Sequence, residues 1–356
     1  MSYYAVEMLP AEIGDCLWIE YGDEANPHRM LIDGGTGGTE AMLRARMESL
    51  ARSKKTLRFD LVVCTHIDND HIPGILGVLG NPPRGLRCDD IWFNGNKHLP
   101  AVPGVLGVPE GEGLSTLLAS KALPWNCAVK GAALVVPDTG PLPRFDLPGG
   151  MVLTLLSPSP AKMTALAKVW KKELAKLSKS SAAGPGRGVL GSTAFPTDLA
   201  ALQAAADRRN GDRSAPNGSS IAFLAEYGGK KCLFGGDAHA PVLEASLRRY
   251  IQERGIKRVK LDAFKLSHHG SKNNTNKTLL DLVECNAYLI STNGKAHKHP
   301  DVEAIARVIL QGTAPTLHFN YDSEYTSPWN SRPIINAPPF FAQLPPRGKP
   351  GKTILL

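Results

Sequence analysis

The six positions from His66 to His71 carry two imidazoles and two carboxylates, in the run Thr65-His66-Ile67-Asp68-Asn69-Asp70-His71. The apolar stretch Leu61-Val62-Val63-Cys64 leads into it, and a Pro73-Gly74 turn follows. Clustering such groups at a strand end is unfavourable unless a cation binds there. Mixed nitrogen and oxygen donors suit borderline divalent ions such as Zn²⁺ or Mn²⁺. A site of this kind needs further donors, and the chain offers them in a recurring position. Asp33 follows Met30-Leu31-Ile32, Asp237 follows Leu233-Phe234-Gly235-Gly236, and His268 and His269 follow the run Leu261 to Leu266. In α/β architectures, side chains just past strand ends converge on one rim. Two divalent ions with a bridging oxygen are within the reach of that many donors.

The elements that must position these residues are legible from periodicity. Strands are expected at 3–9, 16–21, 30–32, 61–64, 91–93, 152–156, 221–227, 231–234, 261–266, 287–291 and 316–319. Gly228-Gly229 reads as a hairpin turn. Helices are expected at 39–53, 72–79, 161–178, 197–209, 242–252, 277–284 and 302–310. In the first of these, Met42, Leu43, Met47 and Leu50 share a face and Thr39 is a candidate N-cap. The Gly-, Pro-, Ala- and Ser-rich region at about 100–215 reads as a basic helix and loop inserted over one face of the core. Residues 1–326 then form one α/β domain, and the Pro-rich stretch 327–356 is expected to drape over its surface.

The chain has 356 residues with 42% hydrophobic content, enough for a full core. Its 41 Lys and Arg against 33 Asp and Glu leave a net charge of +8. That balance favours polyanionic partners such as nucleic acid or phosphorylated substrates. Lys162, Lys168, Lys171, Lys172 and Lys176 form one basic stretch, and Arg248, Arg249, Arg254, Lys257, Arg258 and Lys260 form another. A solvated basic face accounts for the first stretch as well as a substrate-binding lid does, and a nuclease would use groups like those of the second on phosphates. The six cysteines include no C-x-x-C pair, which fits buried reduced thiols. Residues 1–10 do not resemble a signal peptide, and no apolar run approaches the ~20 residues of a membrane span. A cytoplasmic protein without membrane contact is expected; the oligomeric state is not legible.

At this point the residues carry a resemblance. His66-x-Asp68-x-Asp70-His71 resembles the signature of the metallo-β-lactamase superfamily, in the variant where Asp replaces the second His. The chain is also similar to the hydrolase domain of the bacterial DNA-uptake competence channel protein. That similarity rests on Ile13-Gly14-Asp15, Leu31 to Gly35, Asn217 to Ser220, Leu233 to Asp237, Ser267 to Ser271 and His299-Pro300. The resemblance implies a four-layer αβ/βα sandwich with two metals at one edge. His66 and Asp68 would hold the first metal, Asp70 and His71 the second, and Asp237 would bridge them. One of His268 and His269 would complete the second site. Asp33 would orient a ligand histidine from behind. Asp15 is either a support of this kind or a turn residue. Where the family often supplies a further His, this chain has Asn217-Gly218-Ser219-Ser220, so Asn217, a serine or water would fill the gap.

The expected chemistry is hydrolysis by a metal-activated hydroxide, with Asp70 as a proton acceptor. Lys272, Lys295, His297 and His299 lie in loops after strands, where they could contact phosphate or protonate a leaving group. A phosphodiesterase or nuclease acting on DNA or nucleotides is the first reading. The alternatives are a hydrolase of a small ester (a phosphocholine ester, lactone or β-lactam) and a metal-stabilised subunit without turnover. His98, with Asn94 and Asn96, is a candidate rim loop; Trp92, Trp125 and Trp170 read as packing.

Overall fold

Alternation along the strands sorts side chains into two cores. From Tyr3–Met8, Leu17–Gly22 and His28–Ile32, the residues Tyr4, Val6, Leu17, Ile19, Met30 and Ile32 enter one core with Phe223, Leu233 and Phe264. Their neighbours Trp18, Leu31 and Val62 point the other way. They pack on Leu43, Met47 and Leu50 of the helix Thr39–Arg52 and on Ile75 and Val78 of Pro73–Gly80. Period-2 burial on strands and a one-sided helix stripe thus generate the layering.

The computed structural model describes residues 3–53, 56–101, 113–180, 193–208 and 211–356, with the side chains of residues 171 and 173–180 left aside. It is a mixed α/β fold with two large sheets. The six-stranded sheet has the order Lys352–Leu355, Tyr3–Met8, Leu17–Gly22, His28–Ile32, Leu61–Val63, Ile91–Trp92. The eight-stranded sheet runs Phe341–Gln343, Thr316–Phe319, Ala287–Ile290, Ala263–Lys265, Lys230–Phe234, Ala222–Tyr227, Val152–Ser157, Arg144–Asp146.

Strand direction is what matters for the site. His28–Ile32, Leu61–Val63 and Ile91–Trp92 are mutually parallel. So are Lys230–Phe234, Ala263–Lys265, Ala287–Ile290 and Thr316–Phe319. Every segment that carries a candidate ligand therefore leaves its strand at a C-terminal end, and these ends lie side by side. The hairpin at Gly228-Gly229 joins antiparallel Ala222–Tyr227 and Lys230–Phe234, with φ of 57° and 79° at the two glycines. Both central residues of such a turn need positive φ, which glycine adopts without strain.

Three expectations change. The stretch 327–356 is not surface drapery: Lys352–Leu355 pairs antiparallel with Tyr3–Met8, and Phe341–Gln343 closes the edge of the other sheet. Edge strands bond through backbone and bury little, so their sequences show weak patterning. The inserted region is also smaller than expected, because Arg144–Asp146 and Val152–Ser157 belong to the eight-stranded sheet. Thr39 opens its helix inside it, with Gly38 at the cap. Within the inserted region a loop is expected at 180–191; Ser180 ends the helix Pro160–Ser180, and the remainder lies outside the described residues. Among the described residues, no helix is long and apolar enough to cross a membrane.

Two buried histidines away from the rim fix an acid limit. His98 accepts the Gly95 N–H at 3.0 Å and packs edge-on against Trp125, so it braces its loop and does not face the rim. Burial, helped by the Lys97 charge, lowers its pKa to about 4. Burial, helped by Lys352, does the same for His318, also to about 4. Both titrate nearer 6.5 once unfolded, so the unfolded chain binds more protons between those values. Stability is therefore complete above pH 6.5 and is lost as pH falls toward 4. Each histidine contributes up to about 3 kcal/mol at 1.36 kcal/mol per pKa unit. Urea midpoints measured from pH 7.5 to 4.5 should fall, and the fall should be smaller in His98→Gln.

Candidate metal centre

Asp237 stands at the middle of the rim, almost fully buried. Its Oδ1 lies 3.5 Å from His71 Nε2 and 3.9 Å from His269 Nε2. Its Oδ2 lies 3.8 Å from His66 Nε2 and 3.7 Å from His268 Nε2. Asp68 Oδ2 is 3.6 Å from His66 Nε2. Asp70 Oδ2 is 3.3 Å from His269 Nε2 and 3.8 Å from His71 Nε2. All seven residues expected as ligands thus gather at one place, around the two oxygens of one carboxylate.

Each ligand-type side chain is aimed by a partner behind it. Asp33 takes the backbone N–H and hydroxyl of Thr65 at 2.7 and 2.8 Å, and its Oδ2 meets His71 Nδ1 at 2.7 Å. That bond directs His71 Nε2 at Asp237. His66 Nδ1 faces the hydroxyls of Thr65 at 3.0 Å and Ser220 at 3.3 Å, and Ser220 Oγ also accepts the Asp237 N–H. His269 Nδ1 meets the Ser291 carbonyl at 3.0 Å and Asp15 Oδ1 at 3.3 Å. Asp15 is therefore a support and not merely a turn residue. Its other oxygen accepts from the fully buried Lys265 ammonium at 2.7 Å.

Asn217 does not reach the ligand atoms of the rim. Its amide donates to Asp212 Oδ2 at 2.8 Å and lies 3.2 Å from His268 Nδ1. The serine that bears on the gap is Ser220, behind His66. Asp212, Ser220, Asn274 and Lys265 were not singled out from sequence. Ser220 sits within the quoted Asn217–Ser220 motif. The role of Asp212 depends on a contact with His268 that spacing does not reveal.

The donor set fits divalent cations. The buried atoms His66 Nε2, His71 Nε2, His269 Nε2 and Asp237 Oδ1 have no hydrogen-bond partner. Buried polar atoms are seldom left so unless something absent satisfies them. His66, His71 and Asp237 form one group of mutually close ligand atoms, and Asp70, His71 and His269 form another. The surrounding carboxylates favour protons on the imidazoles. Burial disfavours the imidazolium of His269, but Asp15 and Asp237 outweigh it and raise the pKa to about 10. His268 rises to about 9 against burial, through Asp237 and Asp212. Burial opposes ionisation of Asp237 too, yet His268 and His71 hold it well below the usual carboxylate range. A cation entering this rim must displace those protons.

Two of the residues expected to act on substrate behave differently. The Lys272 ammonium is 3.4 Å from the buried Glu303 carboxylate, so its charge is already partnered. His299 is buried, with its ring 5.3 Å from that of His268 and Nδ1 3.5 Å from Asp301. Burial first, then the His268 charge, lowers its pKa to about 4 against the pull of Asp301. At neutral pH it is a neutral imidazole that resists protonation, so it does not stand ready as a charged proton donor. Both residues line a cleft of about 430 Å³ that opens beside His268, together with Lys298, Tyr325, Trp329 and Arg332.

The expected basic stretch at 248–260 lies elsewhere. The helix Ala240–Arg254 begins next to Asp237 and runs roughly 20 Å away from it at 1.5 Å per residue. Arg249 there binds the carbonyls of Pro137 and Gly140, so it serves the fold.

Close backbone approach also shapes the rim. A Cβ on Gly14 would stand 1.7 Å from the Asp70 carbonyl oxygen. Gly14→Ala should therefore push Asp70 out of place, destabilise by about 1–3 kcal/mol and weaken metal uptake. A urea melt and a metal titration of the variant check both effects.

No family model matches the chain, and no curated protein matches it. Among solved structures it is similar to the CmlA beta-hydroxylase E377D mutant, with 11% sequence identity and a TM-score of 0.36. The likeness covers 100% of this chain and 54% of that one, so the chain spans about half its length. A likeness of that depth decides neither family nor chemistry.

Proposed function

We propose that this protein is a divalent-metal-dependent hydrolase of the metallo-β-lactamase type, with the four-layer αβ/βα arrangement of that superfamily, acting on nucleotide or DNA phosphodiesters. The observation that carries the reading is the convergence of unsatisfied, buried imidazole and carboxylate atoms around Asp237. Two cations, Zn²⁺ or Mn²⁺, would polarise the substrate's phosphoryl oxygens and make water more acidic. His66, Asp68, Asp70, His71, Asp237, His268 and His269 would hold them.

The remaining chemistry belongs to the chain's own groups. Asp33 keeps His71 as a fixed donor through one hydrogen bond, and the Ser291 carbonyl with Asp15 does so for His269. Asp70 is partly exposed and ionised, because His71 and His269 offset the effect of burial. It lies beside His71 and His269 and is the more exposed carboxylate of that pair of imidazoles, where a proton from water could be received. Lys298, Arg332 and Tyr325 line the cleft wall, with the acidic Asp301 and Glu324 beside them. That lining suits a phosphate with an attached base. A cleft of about 430 Å³ has room for a nucleotide or a small diester, and equally for a small phosphocholine-type ester, the second reading.

The test is a panel. Purified protein with Mn²⁺ or Zn²⁺ should hydrolyse bis(p-nitrophenyl) phosphate and release nucleotides from single-stranded DNA or RNA, and EDTA should stop it. Failure on all three substrates, in protein shown to hold metal, refutes the phosphodiesterase reading.

A further inference from the structure

The two oxygens of Asp237 divide the rim into two cups, and the cups are braced by different parts of the chain. The second cup comprises Asp70, His71, His269 and Asp237 Oδ1. Its imidazoles are held from behind by Asp33 and by Ser291 with Asp15, all at or beside strand ends. The other cup comprises His66, Asp68, His268 and Asp237 Oδ2. Here His268 depends on groups outside the parallel strands. Its Nδ1 faces Asn274 Oδ1 at 3.0 Å, Asn217 Nδ2 at 3.2 Å and Asp212 Oδ2 at 3.4 Å. Asp212 is itself fixed by amide donors from Asn217 and Asn274 and by the Ser214 N–H.

The chain of contacts continues away from the rim. Asp212 Oδ1 lies 3.6 Å from Nε2 of the buried His239, an atom without a hydrogen-bond partner. The other nitrogen of His239 receives the Lys162 ammonium at 2.9 Å. Lys162 belongs to the first turn of Pro160–Ser180, the basic helix that follows the strand Val152–Ser157. Gly218 permits the approach, because a Cβ there would come within 3.0 Å of His239 and 3.1 Å of Lys162. His268 also needs this bracing for its backbone. It has φ 50° and ψ 51°, and His269 beside it has φ 56° and ψ 24°. Consecutive non-glycine residues in the left-handed region persist only where the surroundings hold them.

We propose that His268 is a ligand of the first cup, that Asp212 positions it, and that the docking of the basic helix through Lys162 and His239 governs how tightly that cup holds its cation, while the second cup is independent of it. This rests on the metal-centre part of the proposed function and not on which bond is hydrolysed.

The experiment is a Zn²⁺ titration of metal-stripped full-length protein by calorimetry, with elemental analysis after dialysis and Co²⁺ absorption spectra of the same variants. Wild type should bind two equivalents. Asp212→Asn and His268→Gln should each keep one equivalent at wild-type affinity; Asp212→Asn should weaken the other about 10- to 100-fold, the usual loss when a ligand's support is removed, and His268→Gln, which removes the ligand itself, at least as much. Lys162→Met should weaken the same equivalent by a smaller factor, about threefold or more, with the Co²⁺ spectrum altered for that ion only. Circular dichroism and thermal melts certify folding; if Asp212→Asn does not fold, His268→Gln decides. Two equivalents at wild-type affinity in Asp212→Asn or His268→Gln, or joint loss of both in a folded variant, overturns the proposal. Unchanged affinities in Lys162→Met overturn the part given to the helix. Wild type that binds no cation overturns the metal centre as a whole, whereas wild-type hydrolysis with an unaffected first cup overturns this inference alone.

Discussion

Replacing Asp237 by alanine should lower phosphodiester hydrolysis by at least about a thousandfold while leaving a folded protein. Among the described residues, the carboxylate is the one group that faces all of His66, His71, His268 and His269. Without it, two donor sets share no common anion, and the several kcal/mol of charge stabilisation expected from bound cations is lost; each 1.36 kcal/mol is a factor of ten in rate. The fold should survive because neighbouring bonds use backbone atoms that alanine keeps. The residue's N–H still donates to Ser220, and its carbonyl still accepts from Asn274. His71 and His269 also retain Asp33 and Asp15. Steady-state rates at saturating Mn²⁺, with metal content measured on the same sample, check this. A rate within tenfold of wild type would show that Asp237 is not part of the reacting centre.

The largest stability effect is expected at Lys265. Its side chain is fully buried, and its ammonium donates to Asp15 Oδ2 at 2.7 Å and to the Leu266 carbonyl at 3.0 Å. Burial raises the Asp15 pKa, but Lys265 first and His269 second reverse that and leave it well below the carboxylate range. Lys265→Met removes the main counter-charge and strands a carboxylate in the core, at a cost of about 3–5 kcal/mol. Asp15→Asn with Lys265→Met should recover part of that loss, because the uncompensated charge goes with its partner. Urea denaturation of wild type, both single variants and the double variant forms the cycle. A loss below about 1 kcal/mol in Lys265→Met would mean that Asp15 relaxes to water or to His269 alone.

The rim was readable in the sequence because its ligands sit at strand ends, and strand ends are marked by apolar runs that stop at Asp33, His66, Asp237 and His268. Parallel pairing then does the gathering, so local patterning carried over to the site. The supports were less readable for two reasons. Lys265 lies inside the strand Ala263–Lys265, where a lone lysine reads as an exposed face, although here it is the counter-ion of Asp15. Asp212 lies in an irregular polar segment, and its contact with His268 spans 56 positions of sequence. The C-terminal strands were missed because Lys352–Leu355 buries only Ile354 and is held mainly by its backbone ladder to Tyr3–Met8. Of the second basic stretch, Arg248, Arg249 and Arg254 lie in the later turns of the helix Ala240–Arg254, and Lys257, Arg258 and Lys260 follow it.

The most direct test of the whole account is an anomalous difference map from a crystal of the full-length protein grown with Zn²⁺. It should show two peaks about 3.5–4 Å apart, one against each oxygen of Asp237, with His71 and His269 on one side and His66 and His268 on the other. Strong density at other sites with none within coordinating reach of Asp237, under saturating Zn²⁺, would contradict it.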